Sequence, residues 1–332
     1  FNRRLSGRLF LLFLSVRSLS LYSNLHLTQT VRSLSTYSGI LAHGAMLLFS
    51  AVVAGSFSLG HIIANDITPA ALTALRFMLA AVVMAIWTWR SCRISRRDLE
   101  SSWRYLLLGS LMGTYFVLMF EGLKTAPAVS TSAVFTLTPA ISAIFGYWLL
   151  SQRIDKRIAL ALSIGGAGAV WVIFRADIDA LMAFEIGRGE AVFFFGCVAH
   201  AIYTPLVRKL NRNQSPVVFT LGTILGASVM LSIYGAQDLL ATDYAALPPM
   251  VWVTLAYLAV FASALSFFLV QYSTLHLPSA KVMAYTYLTP SWVILWEAAL
   301  GNGFPMPAVL AGVLATILAL TLLLRDETEN NT

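Results

Sequence analysis

Five ionisable side chains, Arg76, Glu121, His200, Lys281 and Glu297, stand inside long apolar stretches of this sequence. A charge at mid-depth in lipid costs about 2.5 to 3.5 kcal/mol on insertion scales, so each needs a purpose or a partner. Bond-making chemistry would need a converging acid, base and nucleophile. These five are spread over four stretches with no local motif. Cys92 and Cys197 lack the spacing of a zinc or redox pair, and His26, His43, His61, His200 and His276 are dispersed. No catalytic set, metal site or cofactor is expected.

The remaining patterns point to binding. Lys281, Tyr285, Thr289, Trp292 and Trp296 follow one another at spacings of 4, 4, 3 and 4, which on a continuous helix is a single face. Tyr285 and Trp292 lie too deep in their stretch to be interfacial anchors, so this face is a candidate lining for a solute path. His200 and Tyr203 are three apart on another stretch, with Cys197 one step further back; the histidine is a candidate proton carrier or a helix contact. Arg76 lies seven residues into its stretch, roughly 10 Å deep at 1.5 Å per residue. It reads as an anion or solute contact, or as a buried structural pair. Glu121 and Glu297 lie close enough to the ends of their stretches to snorkel.

The elements that must position these residues are membrane helices. Of 332 residues 58% are apolar and 11% charged, whereas a soluble domain carries about a quarter charged residues. A span needs roughly 20 largely apolar residues, and ten stretches qualify: 40–62, 69–89, 105–123, 128–150, 158–174, 189–207, 216–235, 249–272, 279–299 and 306–324. They lack the alternation of a barrel strand. The net charge of +7 is scattered over short loops, which excludes a nucleic-acid surface. Twelve Lys and Arg fall in 90–104, 151–157, 208–215 and at 325, against three (Lys124, Arg175, Arg188) in the alternate loops. By the positive-inside rule both termini are expected to be cytoplasmic.

Ala126–Pro139 (APAVSTSAVFTLTP) and Leu277–Pro290 (LPSAKVMAYTYLTP) share a Pro-to-Pro interval, both end in Leu-Thr-Pro, and lie 151 residues apart. They open the fourth and ninth spans. Five spans per half is an odd number, so the halves enter the membrane in opposite senses, as in an inverted-topology repeat. Pro127 and Pro278 fit the first turn of a helix. Pro139 and Pro290, a dozen residues further in, are not expected to be first-turn prolines; they should kink their spans or lodge in locally re-satisfied backbone. Small residues at every fourth position (Ala161, Gly165, Ala169; Ala311, Ala315, Ala319) predict close helix contacts in the fifth and tenth spans.

Ala74–Met84 (ALRFMLAAVVM), Thr136–Asp155 (TLTPAISAIFGYWLLSQRID) and Leu288–Asn302 (LTPSWVILWEAALGN) resemble the EamA family of the drug/metabolite transporter superfamily. Where that family usually writes Gly-Glu, this chain has Ser151-Gln152 and Gly301-Asn302, so no role of those glutamates carries over. The expectation is an all-α integral membrane protein of ten helices: a tail at 1–39, a first repeat at 40–175, a second at 189–325 and a short end at 326–332. The tail is acid-poor and rich in Arg and Ser, which fits an unstructured tail, a targeting segment or an over-extended start. The resemblance implies a secondary transporter, an exporter of small organic metabolites such as amino acids, working by alternating access in a bacterial inner membrane. Its partners would be the solute and the lipid bilayer, with protons as a candidate coupling ion, a homodimer as a candidate assembly and no nucleic acid. The rival readings are an intramembrane enzyme and a superfamily transporter of nucleotide sugars or phosphorylated sugars. The candidate cavity residues are Tyr285, Thr289, Trp292, His200, Tyr203 and Arg76.

Overall fold

The structure, a computed structural model, describes residues 38–91 and 94–324. Nearly all of the expected tail at 1–39, Cys92 and the end at 326–332 lie outside them. The described residues form helices and no strand. Among the described residues nine helices are long and apolar enough to cross a membrane: α1 (Ser38–Ile63), α2 (Pro69–Ser91), α3 (Trp103–Leu123), α4 (Ala128–Leu150), α5 (Lys156–Ile173), α6 (Arg188–Leu210), α7 (Pro216–Tyr234), α8 (Pro249–His276) and α10 (Pro307–Leu324). The remaining expected span is α9, residues 279–299, which crosses in three pieces: Ser279–Ala284, a tight turn at Tyr285–Leu288, and Thr289–Ala299.

The cause of that division is written twice. Proline has no N–H to donate and crowds the carbonyl four residues back. In α4 the regular helix stops at Phe135 and restarts at Thr138; in α9 it stops at Ala284 and restarts at Thr289. Pro139 and Pro290 then sit in the first turn of the second pieces. The expectation that neither could be a first-turn proline is therefore corrected: each span is broken, and the proline begins a new helix. Thr136 Oγ1 returns to the carbonyl of Ala133 at 2.7 Å, and the Thr138 hydroxyl donates to that of Phe135. Side-chain hydroxyls thus satisfy backbone that lipid cannot. Pro127 and Pro278 stand one residue ahead of the first turn, in extended backbone.

The first piece of α4 packs on the second piece of α9, and the second piece of α4 on the first of α9. The two spans run antiparallel with their breaks level, as an inverted repeat requires. The helices that end each half, α5 and α10, also pack together. A Cβ on Gly168 would strike the carbonyl of Gly312, and one on Gly312 the carbonyl of Gly168. Backbones this close bring dispersion contacts where burial from lipid gives no drive. The contact on α10 centres on Gly312 rather than on Ala311, which is exposed. Between these pairs, α3 packs against α6 and α7, and α7 against α2. Arg212 Nη1 donates to Ser101 Oγ, and Gln152 Oε1 accepts from Ser279 N. Residues 94–102 and 211–215 therefore share one end of the bundle with the α4–α5 and α8–α9 connections; this is its basic end.

Candidate functional site

Arg76 lies on the inner face of α2 with its side chain fully buried. Opposite it, α8 opens into a π-helical turn over Val260–Leu265. A π turn inserts an extra residue and pushes carbonyls out of the helical ladder, a device found often at functional sites. Arg76 uses what is freed: Nε donates to Ser263 Oγ, and Nη2 to the carbonyl of Ala262. That carbonyl also accepts from Ser266 Oγ at 2.7 Å. The guanidinium carbon lies over Phe116, 3.6 Å from the ring centre. Its third nitrogen, Nη1, is buried without a partner.

His200 and Tyr203 meet at a central cavity. Its wall takes Phe49 and Val53 from α1, Met112, Tyr115 and Phe116 from α3, and Ser266, Phe267 and Val270 from α8. Both halves of the chain therefore contribute. The His200 ring is 4.7 Å from that of Tyr115 and 5.2 Å from that of Phe135, centre to centre. The Tyr203 hydroxyl accepts from Gln271 Nε2 at 3.0 Å. His200 Nδ1, the Tyr115 hydroxyl and Gln271 Oε1 are buried with no hydrogen-bond partner. Unpaired polar atoms in an apolar surround are costly, and a cluster at one place is what a polar guest would satisfy. The cavity lined by His200 and Tyr115 is small, with room for about one water molecule, and Gln271 stands behind Tyr203 at its edge.

The three candidates on α9 stand elsewhere. The Tyr285 hydroxyl is 2.8 Å from His43 Nδ1, and Trp292 Nε1 donates to Ser50 Oγ at 3.2 Å, both partners on α1. Thr289 is fully buried and its hydroxyl has no partner. None of the three lines the central cavity. The turn at Tyr285–Leu288 is 3₁₀, which advances about 120° per residue instead of 100°, so the face expected from Lys281 to Trp296 is not continuous. The structure thus divides the six candidates into Arg76 at the α2–α8 contact, His200 and Tyr203 at the cavity, Tyr285 and Trp292 against α1, and Thr289 buried between them in sequence.

Other marked residues have local roles. Glu121 pairs with Lys124 at 2.8 Å, and Asn302 donates to Glu297 at 2.7 Å. Gln152, standing where the resemblance would place glutamate, receives the N–H of Ser279 at 3.2 Å and so caps the first piece of α9. Lys281 is buried beside it. Sequence reasoning missed Glu190, buried at the start of α6, where its carboxylate accepts from Ser130 Oγ at 2.7 Å; a helix N-terminus favours an anion there. It also missed Tyr115, Phe116 and Phe267. The signal that could have led to them was Gln271, an amide set deep in the eighth apolar stretch.

Set beside known proteins, the chain matches the EamA-like transporter family twice, over residues 40–174 and 187–325. Each match takes in five of the ten spans. It is 25% identical over 278 residues to the uncharacterized transporter YyaM of Bacillus subtilis (strain 168), covering 83% of this chain and 91% of that one. An uncharacterized transporter of Synechocystis sp., sll0355, is 23% identical over 244 residues, covering 69% and 73% of the two chains. A solved crystal structure, 17% identical, has the same fold, with a TM-score of 0.67 over 90% of this chain and 99% of that one. The chain belongs to the EamA-like transporter family.

Proposed function

We propose that this multi-pass membrane protein is a secondary transporter of a small organic metabolite, working by alternating access around the central cavity. One observation carries the reading: His200 Nδ1 and the Tyr115 hydroxyl, contributed by different halves, are buried unpaired on residues that line one small cavity. Transporters of inverted-repeat design place their solute between the halves near mid-membrane. The aromatic walls suit a solute with an apolar body, and the unpaired polar atoms fix its polar end. Export of amino acids or related metabolites is the direction and class that the family resemblance favours.

On this reading α9 parts from α1 when the basic end opens. Tyr285, Thr289 and Trp292 then line the route, and the bonds to His43 and Ser50 hold it shut. Cysteine at 285 or 289 should react with small water-soluble thiol reagents during turnover, and saturating solute should slow the reaction. Unreactive cysteines in a protein that still transports would assign these residues to packing alone. The decisive experiment for the function is uptake into proteoliposomes over a metabolite panel, with and without an imposed pH gradient. Accumulation that follows the gradient would identify proton exchange, accumulation without it facilitated movement, and no movement of any solute would overturn the proposal.

A further inference from the structure

The cavity's unpaired polar atoms leave the sign of the solute's charge open, and Arg76 bears on it. The guanidinium is a permanent cation, yet its partners are neutral oxygens and a ring face. Glu190, the one carboxylate buried among the described residues, is taken up by Ser130 at the α4–α6 contact. A buried cation without a counterion is costly, and here a nitrogen with two N–H groups is also left unpaired.

Arg76 stands directly behind the cavity wall. Phe116, which covers the guanidinium, is part of that wall, and Ser266, also in the wall, shares the carbonyl of Ala262 with Arg76. The Phe116 side chain thus touches both the cation and the cavity. Beside it the unpaired Tyr115 hydroxyl adds a second donor. Among the described residues no carboxylate lines the cavity, so a cationic solute would meet no opposite charge there, whereas an anionic one has Arg76. The planar guanidinium fits a carboxylate by geometry as well as by sign.

We propose that the solute is an organic carboxylate with an apolar body, and that its charge is neutralised by Arg76 once Phe116 turns aside. This rests on the transport reading for the location of the site. The two are separable by experiment.

The test uses the purified full chain in detergent, with 3-phenylpropionate and its uncharged amide as probes of one shape. The carboxylate is expected to raise the melting temperature at concentrations where the amide does not. Arg76→Lys should weaken that effect about tenfold, keeping the charge but losing the planar donors, and Arg76→Gln should abolish it. Equal stabilisation by both probes, stabilisation by neither, or a carboxylate preference that survives in Arg76→Gln would each overturn the proposal. Should the Arg76 variants fail to fold, Ser263→Ala releases Nε while keeping the cation. The preference for carboxylate should persist in it, and its loss there would count against the proposal. Transport of neutral metabolites by a protein with no carboxylate preference would overturn the anion site and leave the transport reading standing. Arg76-dependent carboxylate binding with no movement of any solute would do the reverse.

Discussion

Arg104, at the start of α3, is as fully buried as Arg76, but each of its guanidinium nitrogens has a partner. It donates to the carbonyls of Ser101, Glu100 and Leu210, the last at the end of α6. A cation is well placed among the free carbonyls at a helix C-terminus. Arg104→Ala would leave those oxygens unpaired at the basic end. The expected loss is about 2 to 4 kcal/mol, from charge-assisted bonds worth roughly 1.5 to 3 kcal/mol each, read as a lowered unfolding midpoint of the purified protein. An unchanged midpoint would mean that water replaces the guanidinium without cost. The contrast between the two arginines shows what the sequence makes legible at this scale. Arg76 is visible as a charge in an apolar run. Its acceptors are not, because Ala262 and Ser263 reach it through a π turn that no residue type announces. Tyr115, Phe116 and Phe267 are likewise indistinguishable, as letters, from the aromatic side chains that face lipid.

Among the elements, the breaks in α4 and α9 were half legible. The repeated Leu-Thr-Pro marks where the helix must yield, but not whether it kinks or ends. In α9 four residues of 3₁₀ turn precede Pro290, and this is what rotates Thr289 and Trp292 away from the face predicted by counting fours. Pro290→Ala restores an N–H and removes the clash with the residue four positions back. The turn at Tyr285–Leu288 should then relax toward α-helix. Slower amide exchange over 285–290, with transport reduced and stability held or raised, is the expected result. Exchange that stays as fast as in the unmodified chain would show that packing, and not the proline, sets the turn.

For the whole molecule, the number of spans, the two halves and the membrane class all followed from hydropathy and one repeated interval, because lipid allows few alternatives to the helix. The cavity did not follow, since it exists only where side chains from both halves meet. Orientation rests on the loop charges: a reporter fused at residue 326 should respond on the cytoplasmic side alone, and a signal from the outer side would reverse the topology.

The reciprocal contact of Gly168 and Gly312 bears on how the halves move. The two backbones touch carbonyl to glycine, with Ala315, Thr316, Val172 and Trp171 packed around them, so separation would forfeit many contacts at once. The expected behaviour of such a seam is that of a fulcrum, which tolerates rotation and resists opening. Motion of one half against the other should therefore be a rocking about α5 and α10, with displacement growing toward α1 and the first piece of α9. Pairs of spin labels placed across the seam should report one fixed distance with and without solute, while pairs spanning His43 and Tyr285 should report two. A distance across the seam that changes with solute would show that the halves slide rather than pivot, and that the fulcrum lies elsewhere in the bundle.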